Sequence, residues 1–269
     1  MTKRPLHVRL IETVFPFRFA LARLTRFAPV GKLVDKILFE HDDLFYLPKD
    51  DIVEVNRAVD QPESMVVPSQ VVEHYIDRAR HRFIMDFCIC REAARCEDYP
   101  TGLGCLFLGE ATQHIDRSLG HEASREEARE HLQRCRQAGL IHLVGRNKLD
   151  TRWLNAHPGE KLLTVCNCCS CCCLWLMLPR LDDDIASRLH RMDGVSVTVG
   201  DACTGCGACV DECFVDAISI EDDRAVISSA CRGCGRCAEA CPSQAIAVTI
   251  DEDAVERAIE RINDVVDVS

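Results

Sequence analysis

Eight cysteines near the C-terminus fall into two copies of one pattern. Cys203, Cys206, Cys209 and Cys213 follow the spacing Cys-x2-Cys-x2-Cys-x3-Cys, and Cys231, Cys234, Cys237 and Cys241 repeat it at an offset of 28 residues. Thiolates at such spacing hold soft metals, either zinc or iron–sulfur clusters. Zinc sites use two Cys-x2-Cys pairs rather than a triplet with a distant fourth ligand. A triplet wraps one corner of a cubane, and the fourth thiolate comes from the other repeat. Cys203, Cys206, Cys209 and Cys241 are therefore assigned to one [4Fe–4S] cluster, and Cys231, Cys234, Cys237 and Cys213 to a second. Gly205, Gly207, Gly233 and Gly235 permit the tight turns that aim amide groups at sulfide. Such hydrogen bonds stabilise the reduced, more negative cluster.

Two more cysteine blocks lie upstream. Cys88, Cys90, Cys96 and Cys105 form one; Cys166, Cys168, Cys169, Cys171, Cys172 and Cys173 form the other. Neighbouring side chains of an extended chain point apart, so six cysteines in eight residues cannot all ligate one ion. Cys166, Cys168 and Cys172 are expected to face one way, and Cys169, Cys171 and Cys173 the other. The first block can then complete each ligand set. Ten thiols suffice for one or two further iron–sulfur clusters, or for one cluster with an open iron. The competing readings are small core residues and a vicinal disulfide. Cys135 stands alone on a helical face with Leu132 and Ala128, and is read as core.

Residues 195–250 resemble the bacterial-type two-cluster ferredoxins, with one departure. Phe214 stands where that family has proline after the fourth cysteine of the first repeat. Proline is not a ligand, so cluster binding is expected to survive. The wider stretch 70–250 carries Phe87-Cys88-Ile89-Cys90-Arg91, Gly104-Cys105-Leu106-Phe107-Leu108-Gly109 and the cysteine run after Val165. It is similar to ferredoxin-fused iron–sulfur proteins of anaerobic bacteria and archaea. That resemblance implies redox work and names no substrate.

The elements that must position these ligands are partly visible. Residues 10–40 show apolar helical spacing with arginines between, and residues 60–68, with Pro62 and Pro68, read as a loop. Residues 71–85 are expected as one helix, on the spacing of Val71, Val72, Tyr75, Ile76, Ala79 and Phe83. Ser124 and Glu127 form a capping-box signature that opens a helix to about Ala138, with Gly139 as its stop and a strand at 140–144. Residues 254–266 form an amphipathic closing helix. The expected class is α+β: a mainly helical domain over 1–194 carrying two cysteine blocks, a ferredoxin domain over 195–250, and a C-terminal helix over 251–269.

Composition narrows the function. The chain of 269 residues has net charge −11, which argues against a nucleic-acid partner. The first 40 residues carry +5, leaving −16 for the rest. That basic segment, with Phe15, Phe17, Phe19 and Phe27, could lie on an anionic membrane or dock a partner, or simply cover the core. No apolar run approaches the roughly 20 residues of a membrane span. Nineteen cysteines, an odd number, without an evident signal peptide fit reduced thiols held by metal in a cytoplasm. No phosphate loop or dinucleotide fingerprint occurs, so hydride chemistry would belong to a partner. Arg91 and Arg95 could offset cluster charge or be surface residues; Trp175 could shield a cluster or be core. The expected role is an electron-transfer protein or subunit working with a redox partner protein. The alternative is a reductase with a substrate-binding cluster at residues 166–173, fed by the ferredoxin end.

Overall fold

The computed structural model describes residues 5–56 and 67–269. The loop expected at 60–68 therefore lies, as far as residue 66, outside the described residues. Seven strands build one sheet in the order β5-β3-β4-β7-β6-β1-β8. They are β1 (Asp43–Tyr46), β3 (Arg82–Met85), β4 (Leu106–Leu108), β5 (Gly120–Glu122), β6 (Ile141–Arg146), β7 (Leu163–Cys168) and β8 (Leu189–Arg191). Neighbours are antiparallel except β1 and β8, which run parallel.

The mainly helical expectation for residues 1–194 does not include this sheet. The physical reason is burial. β4 is buried at every position, and β3, β6 and β7 at all but one each. Strands covered on both faces show continuous apolar runs instead of alternation. Several are also too short to display a period of two. Residues 71–85 divide accordingly. The helix Gln70–Arg78 buries Val71, Val72, Tyr75 and Ile76, and Ala79 leaves it in extended conformation. Phe83, which continues the helical spacing, lies instead on β3.

Other elements follow their local signals. Ser124 Oγ accepts the Glu127 amide at 3.1 Å, and Glu127 Oε2 accepts the Ser124 amide at 2.8 Å. The helix Arg125–Gln137 opens there, Gly139 follows it at φ +75°, and β6 comes next. Helices Leu6–Val14, Arg18–Leu24 and Ala28–Val34 occupy the N-terminal segment.

The C-terminal part has two small sheets, one of them shared with an upstream strand. β9 (Val195–Val199) pairs antiparallel with β12 (Ile246–Asp251), and β10 (Ile218–Glu221) with β11 (Arg224–Ile227). An upstream strand, β2 (Val53–Asn56), adds to β12 in parallel, Val53 opposite Val248. The helix Ala254–Val265 packs against Gln70–Arg78, where the Tyr75 hydroxyl donates to the Ile259 carbonyl at 2.7 Å. Val248, Ile250 and Ile262 share one core with Val71, Ile84, Leu106 and Val165. Burying each such side chain stabilises by about 1.5–3 kcal/mol. The ferredoxin-like end is thus fastened to the upstream part of the chain by shared core side chains and by the pairing of β2 with β12.

Candidate metal centres

The two C-terminal cysteine repeats adopt matching backbones. Short helices Ala208–Asp211 and Arg236–Glu239 each start from a glycine in the left-handed region, Gly207 at φ +82° and Gly235 at +84°. A Cβ at Gly205 would come 2.6 Å from the Asp223 carbonyl oxygen, so the first turn has no room for a side chain. Asp216 and Gln244, equivalent residues of the repeats, share φ +52°. One residue on, the Ala217 amide donates to Cys213 Sγ at 3.2 Å and the Ala245 amide to Cys241 Sγ at 3.3 Å. These N–H groups favour thiolate over thiol.

Cys203, Cys206, Cys209 and Cys241 line one cavity, roofed by Ile220, Ala225 and Ile246. Cys234, Cys231 and Cys213, and after them Cys209 of the other quartet, lie around Cys237, whose thiol is pushed up to about 12 by burial and then by those neighbours. Each quartet thus takes three cysteines from one repeat and the fourth from the other. The soft donor set and the N–H···S bonds suit thiolate-held clusters. The quartets differ in setting. Cys206 is exposed, whereas Cys213, Cys231 and Cys234 pack against the upstream core.

The ten upstream cysteines separate into two groups. Cys96, Cys169, Cys171 and Cys172 bring their four Sγ atoms within 4.8 Å of one another. Cys96 and Cys171 are 3.5 Å apart, and the Cys172 amide donates to Cys169 Sγ at 3.3 Å. The other six make three close thiol pairs. Cys105 and Cys166 are 3.8 Å apart. Cys88 hydrogen-bonds Cys90, and Cys168 hydrogen-bonds Cys173. The pairs feel each other: Cys90 senses Cys88, Cys173 and Cys105, and Cys168 senses Cys173 and Cys105. The Cys88 thiol is lowered to about 6, chiefly by the hydrogen bond from Cys90 and then by Arg91.

The partition differs from simple alternation. Cys166 and Cys168 share a face of β7 as expected, but Cys173 joins them, while Cys172 sits with Cys169 and Cys171. The strand ends at Cys168, and the chain turns through Ser170 before the 3-10 helix Leu174–Arg180, so a period of two no longer applies. Cys135 is wholly buried, 3.6 Å from His131 Nε2, in the same apolar core as Cys168, Cys169, Cys172 and Cys173.

Charged and polar side chains surround the six thiols. Arg91 is fully buried; its Nε donates to the Pro100 carbonyl at 3.0 Å, its Nη1 to the Asn167 carbonyl at 2.9 Å and its Nη2 to the Leu103 carbonyl. Arg95 is exposed at the end of its helix. Arg18, laid over Phe15 and Phe19 at 4.3 and 4.2 Å, faces Cys90, Cys172 and Cys173. Tyr46 is buried with its hydroxyl unpartnered, and burial followed by Cys168 and Cys173 pushes it well up. An orphaned hydroxyl beside a thiol nest is what a metal-bound sulfur would satisfy. Trp175 is buried against Phe39, with ring centroids 6.3 Å apart, as a core residue.

Two residues join the upstream nest to the second ferredoxin quartet. Arg236, between Cys234 and Cys237, is buried and donates from Nη2 to the Cys168 carbonyl at 2.8 Å. Its guanidinium lies 5.7 Å from the ring of Phe214, and that ring meets Tyr46 edge-on at 5.0 Å. Phe214, the departure from the ferredoxin pattern, fills the junction. Nothing in sequence spacing marks Arg236, Tyr46, Arg18 or Asn167, because each acts across elements far apart in the chain. Beside the junction, a cavity of about 620 Å³ opens onto Cys231 between His190, Arg191, Arg232 and Ser229.

Residues 202–245 match the 4Fe-4S dicluster domain family. No curated protein and no solved structure matches the chain. The chain therefore carries a ferredoxin-type 4Fe–4S domain near its C-terminus, which with the many upstream cysteines gives it an iron–sulfur electron-transfer role. Among the described residues, no helix is long and apolar enough to cross a membrane.

Proposed function

We propose that this chain is an electron-transfer protein or subunit with two ferredoxin cubanes and at least one further iron–sulfur cluster upstream. Cys203, Cys206, Cys209 and Cys241 hold one cubane, and Cys231, Cys234, Cys237 and Cys213 the other. Cys88, Cys90, Cys105, Cys166, Cys168 and Cys173 supply the upstream thiolates. Bound clusters supply one-electron exchange. The chain's own residues hold the thiolates, exclude water and set the order of the sites.

The observation that carries this reading is the shared buried core. Cys168, Cys169, Cys172 and Cys173 pack in one apolar cluster with Val215 and Ala217, and Cys213, Phe214, Cys231 and Cys234 pack against it. Only the first quartet presents an exposed cysteine. The order supported is therefore partner, Cys203 quartet, Cys231 quartet, upstream thiols. Residues 1–194, 195–250 and 251–269 remain the working division, with the last two fastened to the first through β2, β12 and the closing helix.

The test is iron and acid-labile sulfide quantitation on anaerobically purified full-length protein, with EPR of the reduced state. More than the about eight irons of two cubanes, lowered in Cys105→Ala or Cys168→Ala while both ferredoxin signals persist, supports the reading. About eight irons, unchanged in those variants, would refute the upstream cluster.

A further inference from the structure

We infer that Cys96, Cys169, Cys171 and Cys172 hold a single tetrahedral metal ion, zinc or iron, separate from any cluster in the six-thiol nest. In a tetrahedral thiolate site with metal–sulfur bonds near 2.3 Å, sulfur atoms lie about 3.8 Å apart. The four Sγ atoms here all lie within 4.8 Å of one another. A cubane interposes four irons and four sulfides and spreads its thiolates farther. The ferredoxin quartets provide the internal comparison: among the described residues, neither they nor the six-thiol nest gather three ligand atoms that closely. The tight four are sized for one ion and the others for something larger.

The local chain is also built for a single ion. Cys169-Ser170-Cys171-Cys172 is a tight loop in which the Cys172 amide returns to Cys169 Sγ at 3.3 Å. On the other side, Cys96 receives backbone N–H groups from Tyr99 and Asp98. The Tyr99 hydroxyl is 3.3 Å from Ser170 Oγ, so the two ligand loops are tied to each other directly. Such a site ties the loop after β7 to the loop that carries Cys96. Four-thiolate tetrahedral sites suit zinc or iron among common metals.

The nest holds its proposed cluster independently of this ion, and sulfide separates the two claims, because a lone ion needs none. Full-length protein is purified anaerobically as wild type, Cys171→Ser and Cys105→Ser, and analysed for zinc, iron and acid-labile sulfide. Cys171→Ser should lose one metal equivalent with sulfide unchanged; a loss of zinc or of one iron identifies the ion. Cys171→His should restore it, since three cysteines and one histidine are a standard zinc set. Loss of iron and sulfide together in Cys171→Ser, or no metal change in any variant, would overturn the single-ion site. No change in Cys105→Ser would instead count against the cluster.

A second observation carries its own proposal. Of thirteen exposed large apolar side chains among the described residues, ten lie in residues 6–37, including Leu10, Phe17, Leu21, Phe27 and Leu33. The inner side of the same segment is also apolar, with Val8, Phe15 and Ala22 buried. Helices apolar on both sides are covered on both sides. The outer side also exposes Arg9, Arg23, Arg26, Lys32 and Lys36, while no acidic residue of this stretch is exposed. Asp35 turns to Arg188 at 2.8 Å and Glu40 to Lys148 at 3.0 Å. We propose that this face lies on an anionic lipid bilayer, apolar side chains in the interface and cations on the headgroups. Arg18 on the inner side would then hold the upstream thiols directly beneath that surface.

The test is flotation of full-length protein with phosphatidylglycerol-containing vesicles and with pure phosphatidylcholine vesicles. Binding should require the anionic lipid and weaken at high salt. Arg23→Glu with Lys32→Glu should weaken it by about tenfold or more, and Phe17→Glu with Phe27→Glu should abolish it, with iron content unchanged in both. No flotation, or flotation unaffected by these variants, would overturn the proposal. A dimer in light scattering that the phenylalanine variant splits, without vesicle binding, would assign the face to a second copy and equally overturn it.

Discussion

Arg236 of the second ferredoxin repeat donates to the main-chain carbonyl of Cys168 at 2.8 Å, joining the second cysteine repeat to the end of strand β7. Both residues are buried. The bond crosses what the chain order presents as a domain boundary. A buried guanidinium at this point stabilises negative charge on both sides and holds the two loops at fixed separation.

Arg236→Met should therefore have two effects. The Cys168 carbonyl loses its side-chain donor, at a cost of about 1–3 kcal/mol, read as a lower unfolding midpoint. Loss of the cation should also make the Cys231-quartet centre harder to reduce, while the Cys203-quartet centre changes less. Redox titration followed by EPR checks this. Equal shifts at both ferredoxin centres would mean that Arg236 acts only on overall stability.

The proposed exchange of ligands between repeats makes a sharper prediction. Cys213 lies with Cys231, Cys234 and Cys237, and Cys241 lines the cavity of Cys203, Cys206 and Cys209. Cys213→Ala should damage the centre of the second triplet, and Cys241→Ala that of the first. EPR of the reduced variants distinguishes them, and the opposite pattern would show the assignment to be inverted.

How much of this could be read in advance depends on distance along the chain. The ferredoxin repeats were legible because, within each repeat, every cysteine and turn glycine lies within a few residues of the next. Even the matched left-handed Asp216 and Gln244 sit in aligned tails. The capping box at Ser124 was legible for the same reason. The upstream sheet was not, because β3, β4 and β7 are buried on both faces and lack alternation. The partition of the ten cysteines depends on where β7 stops, and no local signal marks Cys168 as its last residue. Arg236 and Cys168 are 68 residues apart, so their bond follows from the tertiary fold alone. Phe214 was visible as an oddity, and its reason is its packing on Tyr46.

A pH effect follows from Asp42. This carboxylate is buried; Oδ1 accepts the Lys148 amide at 2.6 Å, and Oδ2 has no partner. Burial, and after it Asp150, pushes it up to about 8. Because the folded value lies above the unfolded value of about 3.9, the fold binds the proton more tightly. This contribution to stability is fully present below pH ~4 and is lost as pH rises towards about 8. Asp42→Asn cannot ionise and keeps the acceptor for Lys148. Its unfolding midpoint relative to wild type should rise between pH 5 and pH 8.5, by the equivalent of roughly 1 kcal/mol or more. A difference independent of pH would show that Asp42 is ionised in the fold.

The last prediction separates a carrier from an enzyme. The isolated C-terminal segment is a poor control, because Val248 and Ile250 belong to the shared core and β12 would lose β2. Variants of the full chain serve better. Cys105→Ala and Cys166→Ala remove the two partners of a 3.8 Å pair, and each should abolish the upstream signal while sparing both ferredoxin signals. A reductase needs one iron of that centre open to substrate, whereas a relay needs none. The nest is enclosed by Arg91, Tyr46 and Arg18, and of the upstream cysteines only Cys171, in the other group, is exposed. Enclosure favours the relay. Adding cyanide or azide to the reduced protein should therefore leave the upstream EPR signal unmoved. A shifted signal, lost together with the centre in Cys105→Ala, would reveal an open iron and make the reductase the better description.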